Sequence, residues 1–330
     1  MKRPFKNCYG WCGLALLLCS SIVSAVPNTN SVDGSIVIIP TFSNGEDKLR
    51  MYWARPGETN FYPLSPGTVY SGSGTHTVRD PVLWRTNGSY FIACTADGFR
   101  QNNGGFDILQ SSNLLDWTFV KTVPINAGQL ITWSPIRVID RDGVEWFMCS
   151  VRTNPASGTT QRIYITRPTG TNYSDTWQAA TRVTFTPDFT NNQIAEACVY
   201  NAGQYWLLVK DDTRDHKVND WFVSSSLTSG YAPGPSGSTN LFRYYEGGGL
   251  IPLGNNNWEQ IWDDYGPGGL KASFSLGGFT NWAALVPIGN TKYPLRLSNP
   301  AGPFVEPAAA VQQALDGRAK LNPSPSLDPD

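Results

Sequence analysis

The chain has 330 residues, enough for one large domain or two ordinary ones. Its 25 basic and 26 acidic residues give a net charge of −1, which argues against a nucleic-acid partner but not against a neutral polymer such as a polysaccharide. Aromatic residues make up 12% and charged residues only 15%, and 32 glycines and 24 prolines supply the turns of an all-β protein.

The N-terminus has the pattern of a secretory signal peptide. Three basic residues among the first six precede a mostly apolar stretch at 11–23, and Val23-Ser24-Ala25 offers small residues for cleavage. The apolar stretch is shorter than the roughly 20 residues of a membrane-spanning helix. We therefore expect residues 1–25 to be removed and the protein to be secreted without a membrane anchor. The mature chain would keep 22 basic and all 26 acidic residues, a net charge of about −4.

A motif of two strands and a closing aromatic residue recurs along the chain. A weak copy occupies 49–61, and fuller copies read SYFIACT to FDILQSSNLLDW, EWFMCSV to RIYITRPTGTNYSDTW, QYWLLVKDD to DWFVSSSLTSGY, and NWEQIWDDYG to LKASFSLGGFTNW. The motif ends in turn at Phe61, Trp117, Trp177, Tyr231 and Trp282. A period of 50 to 60 residues with several strands per unit is typical of a β-propeller.

The number of copies predicts an all-β protein with one five-bladed β-propeller. We assign residues 26–34 to a polar lead-in, 35–290 to the propeller and 291–330 to a C-terminal tail that is partly disordered. Because the closing aromatics follow the period of the fold, we expect them to pack the blades rather than bind sugar. The apolar strand at 35–42 is a candidate for closing the ring.

Six cysteines give no sign of a metal site. Three lie in the signal segment, and Cys94, Cys149 and Cys198 each lie in an apolar strand. An odd number cannot pair completely, so buried free thiols are favoured, although one disulfide stays open. No CxxC pair or His/Cys cluster is present, and we expect no metal and no other cofactor.

Three acidic residues stand out by their context. Asp80 precedes a proline at the start of an apolar run, Glu196 interrupts an apolar strand, and Glu246 lies between aromatic residues and three glycines. A carboxylate in an apolar strand is costly unless it is paired or functional, although most single acids simply lie at the surface. All three precede the first aromatic strand of their repeat, so we expect them at one radius, converging on the propeller axis.

The sequence resembles glycoside hydrolase family 43, which includes arabinofuranosidases, xylosidases and arabinanases. The similarity runs in order through most of 35–290. It rests on the Arg-Asp-Pro at 79–81, the S-x-x-L-x-W turn at 112–117, Trp133-Ser134-Pro135, the acid before VYNAGQYWLLVKDD and the Glu-Gly of YYEGGG. The resemblance implies a five-bladed propeller that inverts configuration with three essential carboxylates. It gives no counterpart for the family's metal-associated histidine.

The resemblance implies a role for each acid. Asp80 matches the general base and Glu246 the general acid. Glu196 is the nearest match to the acid that orients the general acid and raises its pKa, but the family has Asp there. In an inverting glycosidase one carboxylic acid protonates the leaving oxygen, and a carboxylate about 6.5–9.5 Å away activates water. A negative charge on Glu196 would help Glu246 hold its proton.

Further residues are expected near the substrate. Arg79 adjoins Asp80 and either holds it ionised or forms an ordinary surface salt bridge. The resemblance places Trp133 in the pocket wall and Asp264 and Tyr265 at its rim. It also matches Lys210-Asp211-Asp212 to an element that contacts substrate or merely caps a strand.

The sequence thus predicts a secreted, monomeric glycosidase of the α-L-arabinofuranosidase or β-xylosidase type. Its substrate would be a plant polysaccharide or oligosaccharide that contains arabinose or xylose. The Glu at 196 keeps open a second interpretation, a propeller that binds carbohydrate without cleaving it. A fructan-cleaving enzyme on a related fold ranks lower, because the NDPNG-type motif of that family is missing near the N-terminus.

Overall fold

The computed structural model describes residues 35–42, 48–55, 57–64, 68–72, 78–96, 104–125, 129–153, 160–213, 217–236, 238, 241, 243–264, 269–288 and 304–307. All regular secondary structure in these ranges consists of β-strands, which confirms the all-β prediction. Within the same ranges there is no helix long and apolar enough to cross a membrane.

Twenty-one strands make up the described part of the chain. In chain order they are β1 (Ser35–Phe42), β2 (Lys48–Ala54), β3 (Tyr62–Pro63), β4 (Tyr70–Ser71), β5 (Arg79–Thr86), β6 (Ser89–Thr95), β7 (Gly105–Ser111), β8 (Thr118–Pro124), β9 (Gln129–Ile139), β10 (Glu145–Thr153), β11 (Thr160–Thr166), β12 (Thr181–Arg182), β13 (Gln193–Asn201), β14 (Gln204–Asp211), β15 (Val218–Ser224), β16 (Ala232–Pro233), β17 (Tyr245–Gly254), β18 (Asn257–Asp264), β19 (Leu270–Ser275), β20 (Val286–Pro287) and β21 (Phe304–Pro307).

These strands form five antiparallel sheets, the five predicted blades. Their strand orders are β21-β1-β2-β3, with β4 also beside β2, then β5-β6-β7-β8, β9-β10-β11-β12, β13-β14-β15-β16 and β17-β18-β19-β20. The first strands of consecutive blades touch, since β5 contacts β9, β9 contacts β13 and β13 contacts β17. These inner strands surround the axis.

Five apolar clusters close the blades into a ring. Each cluster lies between two neighbouring blades, so that Leu49 and Leu109 share one cluster and Val37 and Ile261 share another. The other three join blades two and three, three and four, and four and five. Since blade five packs on blade one in the same way as the others pack on their neighbours, the ring is complete and the five-bladed propeller is confirmed.

The closing aromatics pack the blades, as predicted. Each of the five belongs to, or packs against, a different one of the apolar clusters. Four of them also hydrogen-bond a backbone carbonyl three or four residues earlier: Trp117 to Leu114, Trp177 to Tyr173, Tyr231 to Leu227 and Trp282 to Phe279. The ring anchors the turn after the third strand, which explains why an aromatic recurs there.

Both ends of the described chain contribute to the first blade. β1, the apolar strand expected to close the ring, lies second in this blade, between β2 and β21. Residues 304–307 therefore form the strand that begins the blade, although they fall in the segment assigned to the tail. The N-terminal 34 residues lie outside the described ranges.

The inner strands carry the three selected acids. The aromatic strands that mark the repeat are the second strands of their blades, namely β6, β10, β14 and β18. Asp80 lies on β5, Glu196 on β13 and Glu246 on β17. The acids therefore lie ahead of the aromatic strands, as we expected, and are on the inner strands themselves.

Candidate functional site

A β-bulge interrupts the inner strand in four of the five blades. Between its regularly paired residues each inner strand contains one residue more than its partner: β5 between Arg79 and Val82, β9 between Trp133 and Ile136, β13 between Ala195 and Ala197, and β17 between Glu246 and Gly249. Bulges locally bend a strand and redirect its side chains, and they are frequent beside active sites. The propeller therefore places four such breaks around one axis.

The pairing with the second strands shows which residues are equivalent. The last regular residue before the bulge in blades two to five is Arg79, Trp133, Ala195 and Glu246. On the second strand of the same blade it pairs with Thr95, Ser150, Val209 and Asp263, respectively. The next residue in each blade is Asp80, Ser134, Glu196 and Gly247. Asp80 and Glu196 thus share one phase, whereas Glu246 lies one residue earlier. Glu246 is therefore offset by one residue from the other two acids, although we expected all three at equivalent positions of their repeats.

Asp80 is held by a contact that crosses to the next blade. Its backbone is in the left-handed region, with φ 48°, and so is that of Ser134, with φ 50°. The Thr95 hydroxyl donates to Asp80 Oδ2 at 2.7 Å and accepts the Ser134 N–H at 3.0 Å. One threonine therefore links the bulges of blades two and three and orients the Asp80 carboxylate.

Glu196 is a buried carboxyl group that faces backbone donors. Its side chain is 2% exposed, and its Oε2 accepts the Gly247 N–H at 2.6 Å and the Gly248 N–H at 3.3 Å. An added Cβ at Gly248 would lie 2.6 Å from a Leu208 methyl carbon, so a larger residue there would displace the Leu208 side chain. The two hydrogen bonds attach Glu196 to the backbone directly after Glu246.

Burial also changes the protonation of Glu196. Loss of water around the side chain raises the pKa of Glu196 to about 8, and the charges of Glu246 and Asp80 act in the same direction. The Lys210 ammonium and the Gly247 N–H oppose this rise in pKa. Burial therefore opposes the negative charge that we expected Glu196 to supply.

Lys210 connects the two glutamates. Its Nζ lies 2.5 Å from Glu246 Oε2, 4.0 Å from Glu196 Oε1 and 3.8 Å from Asp212 Oδ1. The lysine side chain is 2% exposed, whereas that of Glu246 is 20% exposed and reaches solvent. The resemblance left Lys210 between substrate contact and strand cap, and the structure places it inside the acidic cluster.

Four more residues were expected near the substrate, and the structure describes three of them. The Arg79 guanidinium lies over the Phe42 ring, 5.9 Å from its centroid. Trp133 is half-buried next to the bulge of blade three. Asp264 ends β18, pairs with Tyr245 in the sheet and lies 3.9 Å from Lys271 Nζ. Tyr265 lies outside the described residues.

A cavity of about 310 Å³ lies on the axis beside the bulges. Inner-strand residues that follow the bulges line most of it, including Val82, Ile136 and Ala197, together with Glu196. Glu196 thus borders the cavity, and its carboxyl group lies 4.0 Å from Lys210 Nζ.

Metal-binding side chains do not cluster in the described part of the chain. Among the residues that the structure describes, no group of three or more His, Cys, Asp or Glu side chains could hold a metal ion. Both histidines, His76 and His216, lie outside those residues. The three cysteines that the structure describes are unpaired, with Cys94 and Cys149 buried and Cys198 half-buried.

Comparisons with known proteins agree on the fold. No protein-family model matches the sequence, and no curated protein matches it either. Among solved structures, the chain is similar to an endo-1,4-β-xylanase from Bacteroides thetaiotaomicron, with a TM-score of 0.57 and 11% identity over 79% of this chain and 97% of that one. It is also similar to native arabinanase from Bacillus subtilis, with a TM-score of 0.51 and 15% identity over 74% of this chain and 91% of that one. At such identities the likeness shows a shared fold.

Proposed function

We propose that the chain is a secreted glycoside hydrolase of the family 43 type that cleaves arabinose- or xylose-containing plant polysaccharides or oligosaccharides with inversion. One observation carries the proposal: Glu246 and Glu196 meet at a single buried lysine beside the axis, and the Asp80 charge acts on Glu196. Two carboxyl groups from neighbouring blades thus share one centre, and the charge of a third, Asp80, acts on it; glycosidic hydrolysis needs a pair of carboxyl groups.

In the proposed reaction Glu246 is the proton donor. It is the glutamate of the pair that solvent reaches, so a glycosidic oxygen can approach it. Its proton passes to the leaving oxygen as the bond from that oxygen to the anomeric carbon breaks. Asp80 accepts a proton from the water whose oxygen forms the new bond to that carbon on the opposite face. The Thr95 hydroxyl holds the Asp80 carboxylate in place during this step.

Glu196 supports the reaction by position more than by charge. Its carboxyl accepts the N–H groups of Gly247 and Gly248, so it fixes the backbone from which the Glu246 side chain extends. Burial opposes a negative charge on Glu196, since it raises the pKa of this group. The longer side chain of Glu, compared with the Asp that the family has, lets the carboxyl group reach that backbone from the neighbouring blade.

The proposed substrate class has weaker support than the proposed reaction. The two similar structures carry the names of a xylanase and an arabinanase, enzymes of xylose and arabinose polymers. The half-buried Trp133 beside the bulge of blade three offers an aromatic face of the kind on which a sugar ring packs. Secretion fits such polymers, which lie outside cells, and rests on the N-terminal pattern of charge and hydrophobicity.

The test is hydrolysis of nitrophenyl arabinofuranoside and xyloside, together with arabinan and xylan. Asp80→Ala and Glu246→Ala should each lower kcat/KM by a factor of about 10³ or more. NMR of the first sugar released should show the inverted anomer. Unchanged turnover in a folded Asp80→Ala protein, or release with retained configuration, would contradict the proposed mechanism.

A carbohydrate-binding propeller without activity is the second candidate. The ion pair between Lys210 and Glu246 favours it, because an ion-paired carboxylate is the wrong form for a proton donor. This candidate predicts binding of arabinan or xylan in a pull-down and no sugar release between pH 4 and pH 8. Release that disappears in Glu246→Ala would exclude it.

A further inference from the structure

Two positions of the sequence fit the acceptor pattern for N-linked glycans, Asn-x-Ser/Thr with x other than proline. They are Asn87-Gly88-Ser89 in blade two and Asn172-Tyr173-Ser174 in blade three. A three-residue pattern also arises by chance, so its place in the folded protein decides whether it can carry a glycan. Such glycans are attached during export, and this inference therefore rests on the proposed secretion.

The first acceptor, Asn87, lies at the tip of the hairpin that joins β5 and β6. Thr86 pairs with Ser89, so Asn87 and Gly88 form a two-residue turn, and both have positive φ, 49° and 79°. Asparagine followed by glycine is a common sequence for such a turn, because both residues tolerate the left-handed region. Asn87 is exposed at this turn, so a sugar attached to it can extend into solvent.

The second acceptor, Asn172, lies in the connection between β11 and β12. Tyr173 is buried and anchors this connection, because its hydroxyl donates to Glu145 Oε2 and accepts the Trp84 indole N–H, both at 2.7 Å. The residues on either side of it, Asn172 and Ser174, are exposed. The buried tyrosine thus fixes the loop in a form that leaves both polar residues of the acceptor pattern accessible.

Both asparagines line one open cavity of about 210 Å³ at the seam between blades two and three. Phe91 and Tyr173 line it as well, with ring centroids 4.6 Å apart, and most of the other lining side chains are polar. Among the residues that the structure describes, none forms a hydrogen bond with the side-chain amide of Asn87 or Asn172. Two acceptors from different blades therefore meet at one groove, each with its amide nitrogen available.

We propose that Asn87 and Asn172 are both N-glycosylated during export and that their glycans share the groove between blades two and three. The donor is an oligosaccharide linked through pyrophosphate to a lipid, which the transferase of the host supplies. The asparagine Nδ2 forms a bond to C1 of the first sugar, and the bond from C1 to the pyrophosphate breaks. The lipid pyrophosphate leaves, and the amide gives up one proton.

The groove lies at the end of β5 that is opposite to the candidate site. Asp80 is the second residue of β5, and Asn87 directly follows the last. The strand between them spans about 20 Å, at roughly 3.3 Å per residue. The glycans therefore cover the seam between two blades and leave the approach to the candidate site open.

The test is mass spectrometry of the full chain secreted from a eukaryotic host cell. Peptide-N-glycosidase in ¹⁸O water converts each occupied asparagine into a labelled aspartate, and both Asn87 and Asn172 should be labelled in the wild type. Ser89→Ala should lose the label at Asn87 alone and Ser174→Ala at Asn172 alone. The matched variants Ser89→Thr and Ser174→Thr keep the acceptor pattern and should keep both labels. An unlabelled Asn87 or Asn172 in the secreted wild type would overturn the proposal.

Failure of export and failure of glycosylation are distinguished by a second expression. If residues 1–25 do not direct export, the leader of a host protein replaces them, and the labels are read on the exported chain. Asn87→Asp keeps a residue that tolerates the turn, and it replaces Ser89→Ala if that variant is not exported. The labels do not depend on hydrolysis, so they decide the proposal whether or not the protein cleaves a polysaccharide.

The shared groove has a separate test, the rate at which an endoglycosidase releases one glycan from the folded protein. Release at Asn172 should be several times faster from Ser89→Ala than from the wild type, because the neighbouring glycan no longer shields it. In unfolded protein the two rates should be equal, which controls for the sequence around Asn172. Equal rates in folded protein would refute the shared groove.

Discussion

Replacing Glu196 by glutamine should make the protein more stable, by an amount that grows with pH. The pKa of Glu196 is raised from 4.5 to about 8 by burial, so the folded protein keeps a proton there that the unfolded chain releases above pH 4.5. The stability of the wild type is therefore greatest below pH 4.5 and falls as the pH rises toward 8. Glutamine carries no titrating proton and avoids this loss.

The magnitude follows from the pKa difference. Each pH unit between 4.5 and 8 costs the wild type about 1.4 kcal/mol relative to Glu196→Gln, and the total reaches about 5 kcal/mol. Glutamine keeps an oxygen that can accept the Gly247 and Gly248 N–H groups, so the packing changes little. Between pH 5 and pH 8 the difference in unfolding free energy should thus grow by roughly 4 kcal/mol.

The assay is urea unfolding followed by tryptophan fluorescence at pH 5, 6, 7 and 8. Glu58→Gln, in the loop after β2, controls for the loss of one carboxyl group, and its stability should follow the wild-type pH dependence. A constant difference between Glu196→Gln and the wild type across this range would refute the reasoning. It would mean that Lys210 and the glycine N–H groups stabilise the Glu196 carboxylate enough to cancel the effect of burial.

Two other substitutions test the contacts that build the site. Thr95→Val removes the hydroxyl that donates to Asp80 but keeps the shape, so kcat/KM for a nitrophenyl pentoside should fall about tenfold with little change in Tm. Gly248→Ala would place a Cβ 2.6 Å from Leu208 and 2.7 Å from Gln260, and urea unfolding should show a loss of about 1–3 kcal/mol; no loss would mean that this contact is not tight.

The blades could be predicted from the sequence because each of them has an aromatic residue at the same structural position. An aromatic such as Trp117 recurs since its ring fills the space between two blades and its N–H holds the turn behind it. This aromatic residue can be recognised in the sequence even where the strands of the blades differ. The strand Phe304–Pro307 has no such closing aromatic residue, and its role in the first blade depends on pairing with β1, about 270 residues earlier.

The site was predicted less well because its geometry depends on bulges. Asp80 and Glu246 could be selected from the proline and glycines beside them. The sequence does not show, however, where an inner strand has one residue more than the strand it pairs with. That extra residue separates the phase of Glu246 from that of Asp80 and Glu196. Lys210 had one signal, a lysine directly after the apolar run of β14, but whether such a lysine faces the axis or solvent depends on the neighbouring blades.

The same bulges explain how groups from neighbouring blades can meet at the candidate site. A regular strand alternates its side chains between two faces, so it cannot aim consecutive residues at one centre. The bulge in β17 relaxes this rule, because the residues after Glu246 are glycines that turn their N–H groups toward Glu196 while the Glu246 side chain meets Lys210. β1 pairs with both its neighbours without any such break and supplies none of these groups. Blade one therefore closes the ring, while blades two, four and five hold the carboxyl groups.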